Sequence, residues 1–328
     1  MNKKERVRAA LRGDAVDHPP VSLWGHDFLR EWSAADLGAQ TLETYRRFDW
    51  DFIKLNPRWT FFGEAWGNTY QPPTEQRFPR LTSRIVQQVE DMDRIQSVDP
   101  TGGVFGEQLE ALRLVVAGAP EVDVVYTLFS PLAVLGLLCG GVGEPLVTFS
   151  AQDPARVHAA LARITPVLAA HGKAALAAGA AGVFFAPLQW TSRKSCTDDY
   201  YREFGRPYDL ATLAELRDAE FNILHVCGDQ NRLPMLLDYP VNALNWADHG
   251  DGNLSLAEVR ALTSLPLIGG IDHASLDRID VSTATSHAQD ALAHPPAPFL
   301  LGGGCGISPR TPPEVKSAIV AAARAHAG

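Results

Sequence analysis

Three side chains in this sequence have the types and spacing of a metal site. His225 and Cys227 are two residues apart, so on an extended strand both point to the same face. Cys305 comes much later and lies between Gly304 and Gly306. One imidazole and two thiolates suit Zn²⁺, and three protein ligands leave a coordination position open, as in catalytic zinc sites. The alternative, that both cysteines are small buried apolar residues, is the common state of a free cysteine. The neighbouring glycines favour the metal site.

Acidic and amide side chains follow other predicted strands. Asp248 and Asp272 are candidate catalytic residues, because each could act as a fourth ligand, as an acceptor for His225, or as a proton acceptor. The alternative is that these acids cap the helices that follow them. Gln189 is a candidate substrate-binding residue that could bond a carboxylate or amide, and a role in a turn is equally compatible with its position.

Tryptophans also cluster at predicted strand ends. Trp24, Trp190 and Trp246 fall on or just beyond three different runs, so we expect them to surround the open metal position and bind substrate. Indole faces attract apolar and quaternary ammonium groups. The alternative for each of them is packing in the core.

Eight short apolar runs alternate with longer amphipathic stretches, a pattern typical of parallel βα units. Eight such units predict a single (β/α)8 TIM barrel over residues 1–328, with extra N-terminal helices and a long insertion after strand 2. A doubly wound open sheet is the alternative, but no glycine-rich phosphate loop follows the first run. The runs are Val21–Trp24, Asp51–Leu55, Val122–Leu128, Gly182–Ala186, Asn222–Val226, Val241–Trp246, Leu267–Ile271 and Phe299–Leu301.

The composition excludes several classes of protein. The chain has 328 residues, 46% hydrophobic and 20% charged, and a formal net charge of −9. Such an acidic chain lacks the basic surface of a nucleic-acid-binding protein. No apolar run approaches the roughly 18 residues that a membrane span needs, and no signal-peptide pattern opens the sequence. We therefore expect a cytoplasmic enzyme with a small-molecule substrate.

Several motifs are shared with a known group of proteins. They are Glu5-Arg6-Val7, Leu11-Arg12-Gly13, Val16-Asp17-His18-Pro19-Pro20, Phe129-Ser130-Pro131-Leu132, Gly269-Gly270-Ile271-Asp272 and Gly304-Cys305-Gly306-Ile307. With these motifs the sequence resembles the uroporphyrinogen decarboxylase superfamily, and within it the zinc-dependent corrinoid methyltransferase branch. The resemblance implies a (β/α)8 barrel in which His225, Cys227 and Cys305 bind zinc.

The same resemblance implies a reaction. A zinc-bound thiol becomes a nucleophilic thiolate at neutral pH, and the methyl group moves to or from a separate corrinoid protein, a folate or a small methylated compound. Two other reactions stay open: a zinc-dependent lyase or hydrolase acting on a small sulfur compound, and a decarboxylase-like enzyme without metal. A non-enzymatic binding protein is a further alternative. Uroporphyrinogen decarboxylases carry arginines after the first strand, whereas here the first arginine after it is Arg30.

Overall fold

Eight parallel strands form a nearly closed barrel in this computed structural model, which describes residues 1–293, 295 and 297–326. The strands pair in the order β1-β10-β9-β8-β7-β6-β5-β2, and each coincides with one of the eight apolar runs. The predicted TIM barrel is therefore confirmed. The barrel strands are β1 (Val21–Ser22), β2 (Phe52–Leu55), β5 (Asp123–Phe129), β6 (Gly182–Ala186), β7 (Ile223–Val226), β8 (Ala243–Trp246), β9 (Leu267–Ile271) and β10 (Phe299–Gly303).

Helices alternate with these strands and cover the outside of the barrel, so every barrel strand is buried along its length, as is usual for parallel sheets. The longest helix is capped by Asp153, whose side chain accepts from the backbone of Arg156. The helices are α1 (Lys3–Arg12), α2 (Ala34–Phe48), α3 (Phe61–Glu64), α4 (Gly103–Gly118), α5 (Pro131–Leu138), α6 (Leu146–Gln152), α7 (Pro154–Ala177), α8 (Asp198–Tyr200), α9 (Arg206–Ala214), α10 (Leu256–Arg260), α11 (Val281–Ala293) and α12 (Pro313–Ala325).

The predicted insertion after the second barrel strand is also present. It contains α3, an antiparallel hairpin of β3 (Thr69–Gln71) and β4 (Arg80–Ser83), and a 3-10 helix at Val89–Arg94. At the N-terminus a single helix, α1, precedes β1. No helix in the described part of the chain is long and apolar enough to span a bilayer.

Side chains complete the barrel between β1 and β2. One carboxylate oxygen of Asp51 accepts from the backbone N–H of Val21 at 2.9 Å, and the other accepts from Arg6 of α1 at 2.7 Å. The Ser22 hydroxyl donates to the backbone carbonyl of Phe52 at 2.7 Å. Arg6 and Asp51 are both buried, so this ion pair holds α1 and the first two strands together out of contact with water.

Replacing Asp51 by alanine should therefore destabilise the whole barrel. The substitution leaves the buried guanidinium of Arg6 without one of its carboxylates, which costs on the order of 3 kcal/mol. Glu110→Ala is the matched control, because Glu110 pairs with Arg113 while both side chains are more than half exposed, and such pairs contribute about 1 kcal/mol or less. Urea unfolding measures both variants. Equal losses would show that Asp51 does not hold the closure.

Candidate metal centre and its cavity

The three predicted ligands lie together at the mouth of the barrel. His225 lies near the end of β7, Cys227 follows that strand directly, and Cys305 comes two residues after β10. Their ligand atoms all lie within 4.8 Å of one another. The Sγ of Cys305 is 3.5 Å from Nε2 of His225. His225 is buried, and Cys227 and Cys305 are partly exposed residues.

Asn245 determines which nitrogen of His225 is available. It occupies the position of β8 that pairs with His225 in the parallel register. Its amide nitrogen donates to the carbonyls of Ile268 and Gly303, at 2.9 and 3.0 Å. Its oxygen must therefore accept, and it lies 2.7 Å from Nδ1 of His225. The proton of a neutral imidazole sits on Nδ1, and Nε2 presents its lone pair to the cysteines.

The sequence did not single out Asn245, although a signal was present. His225 and Asn245 are each the third residue of a four-residue strand, so aligning the two runs would have placed them side by side. The role of acceptor for His225 was one of the three that the sequence left open for Asp248 and Asp272. The asparagine has that role because its neighbouring strand position faces the imidazole.

The two cysteines shift the pKa of each other's thiol in opposite directions. The thiol of Cys227 donates to the sulfur of Cys305, and this hydrogen bond lowers the pKa of Cys305 well below its usual value. The same bond raises the pKa of Cys227. A cation bound between the two sulfurs would favour the deprotonated form of both thiols.

A cavity of about 230 Å³ opens beside this cluster. Its wall includes Lys54, Trp24 and Ile307, and Ile307 follows Cys305 by two residues. The ring of Phe184 connects the cavity to the cluster, because its centroid lies 4.9 Å from the ring of His225 and 4.7 Å from Nζ of Lys54. None of the three cluster residues lines the cavity itself. The link between them is Phe184, which contacts both the cavity-lining Lys54 and the imidazole of His225.

Lys54 is a buried cationic side chain that sequence reasoning missed. Burial lowers its pKa to about 7, and the negative charges of Cys305 and Glu31 counter this effect. Its Nζ donates to the side-chain oxygen of Asn56. The signal was the alternation of β2, where Lys54 takes a barrel-facing position in an otherwise apolar strand.

The two predicted catalytic acids have structural partners. One oxygen of Asp248 accepts from the backbone N–H of Gly270 at 3.0 Å and lies 3.1 Å from Nδ1 of His249, and this contact raises the pKa of the histidine. Asp272 accepts from the backbone N–H of Ala274 at 3.1 Å and so closes its own turn. Neither acid hydrogen-bonds to His225, so the structure gives neither of them the role of its acceptor, and their roles as a fourth ligand or a proton acceptor stay predictions.

The expected wall of three tryptophans does not form. Trp24 lines the cavity, whereas Trp190 and Trp246 are fully buried. Trp246 donates to the carbonyl of Leu254 at 2.8 Å, and Trp190 stacks on Tyr200. Successive residues of a strand face opposite sides, so Asn245 faces the barrel interior and Trp246 faces the helices.

The fourth expected substrate-binding residue, Gln189, is exposed. It lies next to Gly228, the residue after Cys227. The glycine has φ +80, a left-handed backbone conformation in which other residues are strained. Gln189 is therefore at the mouth near the cluster but does not line the cavity beside it.

The uroporphyrinogen decarboxylase (URO-D) family model matches residues 2–326. The chain belongs to this family. No curated protein matches the chain in a sequence comparison.

Among solved structures, this URO-D family chain is similar to a methyltransferase from Methanosarcina mazei, with TM-score 0.83 and 21% identity over 98% of each chain. It is also similar to a B12-independent methionine synthase from Shewanella sp. W3-18-1, with TM-score 0.62 and 12% identity over 94% of this chain and 97% of that one. A putative methionine synthase of the same kind from Listeria monocytogenes gives TM-score 0.56 and 12% identity, over 89% and 85%. At these identities the likeness establishes the fold.

Lys54 makes the stability of the metal-free protein depend on pH. Its folded pKa of about 7 lies below its usual value, so between about pH 7 and pH 10 the unfolded chain binds a proton that the folded chain does not. The free energy of unfolding should therefore rise with pH across this window, by on the order of 3 kcal/mol from this group. Urea unfolding of wild type and Lys54→Met at both ends of the window isolates the contribution. A wild-type curve parallel to that of the variant would contradict it.

Proposed function

We propose that this chain is a zinc-dependent methyltransferase that activates a small thiol for methyl transfer. The observation that carries the proposal is the convergence of Nε2 of His225 with the sulfurs of Cys227 and Cys305 within 4.8 Å. The matched family and the fold shared with a methyltransferase from Methanosarcina mazei support it.

The donor set fits zinc. Nitrogen and thiolate sulfur are the ligands zinc prefers, and three protein ligands leave room for a substrate. The lone pair of His225 already points to the cysteines because Asn245 holds the other ring nitrogen. When bound, the metal supplies a lowered pKa for a thiol substrate, so that a thiolate exists at neutral pH.

The cavity favours a small substrate. Its volume of about 230 Å³ is below the roughly 300–1,000 Å³ of pockets for drug-sized ligands. Arg30, which lines it, is paired with Glu43 at 2.8 Å. The wall therefore offers no cluster of free arginines for the carboxylates of a tetrapyrrole, which favours methyl transfer over decarboxylation. The methyl donor or acceptor we propose is a corrinoid on a separate protein, a folate or a small methylated compound.

A direct test uses the protein loaded with Co²⁺, whose absorption reports thiolate binding. Addition of a small thiol should produce a sulfur-to-cobalt charge-transfer band, and the zinc-loaded protein should then demethylate added methylcobalamin in a thiol-dependent reaction. Binding without methyl transfer to or from any corrinoid or folate would leave the lyase or hydrolase reaction as the better account. Decarboxylation of uroporphyrinogen by metal-free protein would overturn the proposal.

Cys305→Ala should abolish zinc binding and activity while the protein stays folded. The barrel core is closed by apolar strands and does not depend on the cluster. Elemental analysis of the dialysed protein should give about one zinc for wild type and close to none for the variant. Cys196→Ala is the control, because Cys196 is also partly exposed but lies outside the cluster. Retention of zinc by Cys305→Ala, or its global unfolding, would contradict a catalytic site.

Asn245→Leu should weaken zinc binding without removing a ligand. Loss of the hydrogen bond to Nδ1 frees the imidazole to rotate and change tautomer, and such changes typically cost about 10–100-fold in metal affinity. Competition with a chromophoric chelator measures the affinity. Asn242→Ala is the control, because Asn242 immediately precedes the same strand and its side chain accepts from the backbone of Asn222. Unchanged affinity in Asn245→Leu would show that the imidazole is held by other contacts.

A further inference from the structure

A histidine–glutamate pair stands in the cavity wall and has no part in the cluster of ligands. Nδ1 of His26 lies 2.8 Å from a carboxylate oxygen of Glu31. The side chain of Glu31 is 0% exposed, whereas that of His26 is 22% exposed and lines the cavity. The pair therefore joins a buried carboxylate to an imidazole that a ligand can touch.

The carboxylate determines which nitrogen of His26 faces the ligand. Glu31 accepts the hydrogen of Nδ1, so in the neutral ring the lone pair is on Nε2. Nε2 has no hydrogen-bond partner in the described part of the chain, and neither has the second oxygen of Glu31, which is buried. An imidazole oriented in this way can accept a proton, and the carboxylate stabilises the resulting imidazolium.

The hairpin insertion keeps the pair in place. The ring of His26 stacks on Phe28 at 4.9 Å, and the backbone N–H of Phe28 donates to Gln76 in the hairpin loop at 3.1 Å. Gln76 in turn donates to Asp27 at 2.8 Å. These contacts hold the chain around His26 from both sides, so its Nε2 keeps a defined position in the cavity.

The cavity connects this pair to the cluster. His26 and Lys54 line the same space, and Lys54 contacts the Phe184 ring on which His225 stacks. The backbone segment of His26 also meets the segment of Cys305, because Gly25 pairs with Ile307 in a parallel bridge. A thiol that approaches the cluster from this cavity passes through the space that His26 lines.

We propose that His26, oriented by Glu31, accepts the proton that a thiol substrate loses when it binds beside the His225, Cys227 and Cys305 cluster. This inference rests on the proposed function. The S–H bond breaks with its electron pair left on sulfur, and an N–H bond forms at Nε2, directly or through one water. The positive charge that appears on the ring is balanced by Glu31, and no oxidant or reductant is needed. In this reaction His26 is a catalytic residue and Glu31 is a positioning residue.

Other charged groups share this space. They are Asp27, Arg30, Glu43, Lys54 and Lys316, of which Arg30 and Glu43 pair with each other. Lys54 is the competing proton acceptor, because it is buried and responds to the charges of Cys305 and Glu31. The experiment must therefore separate His26 from Lys54.

The number of protons released on thiol binding, measured by calorimetry, distinguishes His26 from Lys54. Zinc-loaded protein is titrated with 2-mercaptoethanol near pH 7 in two buffers of different ionisation enthalpy, which gives the protons released per thiol bound. Wild type should release clearly less than one proton, whereas His26→Gln should release about one, because the thiol proton then passes to the buffer. Glu31→Gln should fall between them. His158→Gln, which changes a histidine on α7 bonded to Tyr208, should behave as wild type.

The other possible results of this experiment each overturn a stated part of the argument. Equal proton release from wild type and His26→Gln overturns the inference. An increase in proton release seen only in Lys54→Met also overturns it, because the lysine is then the proton acceptor. Failure of wild type to bind the thiol at all overturns the proposed function and this inference with it. If His26→Gln does not fold, ¹⁵N NMR of the wild-type imidazoles decides: Nε2 of His26 should become protonated on thiol binding, and an unchanged resonance overturns the inference.

Discussion

The side-chain amide of Asn245 connects four consecutive strands at the mouth of the barrel. It stands on β8, accepts from His225 on β7, and donates to carbonyls of Ile268 on β9 and Gly303 on β10. Asn245 is fully buried, so leaving any of these groups without a partner would cost free energy. The amide of Asn245 thus fixes the orientation and the tautomer of the His225 ring, and it ties this ring to the strand that leads to Cys305. The candidate metal centre depends on it.

Two buried ionisable groups besides the cluster itself lie near this centre. Lys54 and Glu31 are both buried, and each has only part of its hydrogen-bonding capacity used by neighbours. Burying such groups opposes folding unless they are paired or serve a ligand. Lys54 lines the cavity and Glu31 bonds to His26, which also lines it, in agreement with a site where charge and protons are rearranged during a reaction. The hairpin insertion contributes by holding the segment that carries His26.

The tryptophans show that a position at a strand end does not by itself determine which way a side chain faces. Proximity to a strand end places a residue at the mouth, but the side it faces depends on the register of that strand. Asn245 and Trp246 are adjacent, and only one of them can face the interior. Because the asparagine pairs with His225 across the ladder, the indole packs outward against the helices. The same alternation along β2 identifies Lys54 as a barrel-facing residue. A prediction from its charge alone would have placed it on the surface.

The sequence by itself determined the barrel and the ligand triad, because both follow from local patterns. Eight apolar runs define eight strands, and the spacing of His225 and Cys227 on one of them directs both side chains to one face. Only the tertiary structure decided which partner orients His225, which tryptophan reaches the cavity, and that His26, paired with the buried Glu31, shares the cavity with Lys54. Those relations depend on the register between strands and on the packing of the hairpin loop against Asp27 and Phe28. They join residues distant in the chain, and no local spacing encodes them.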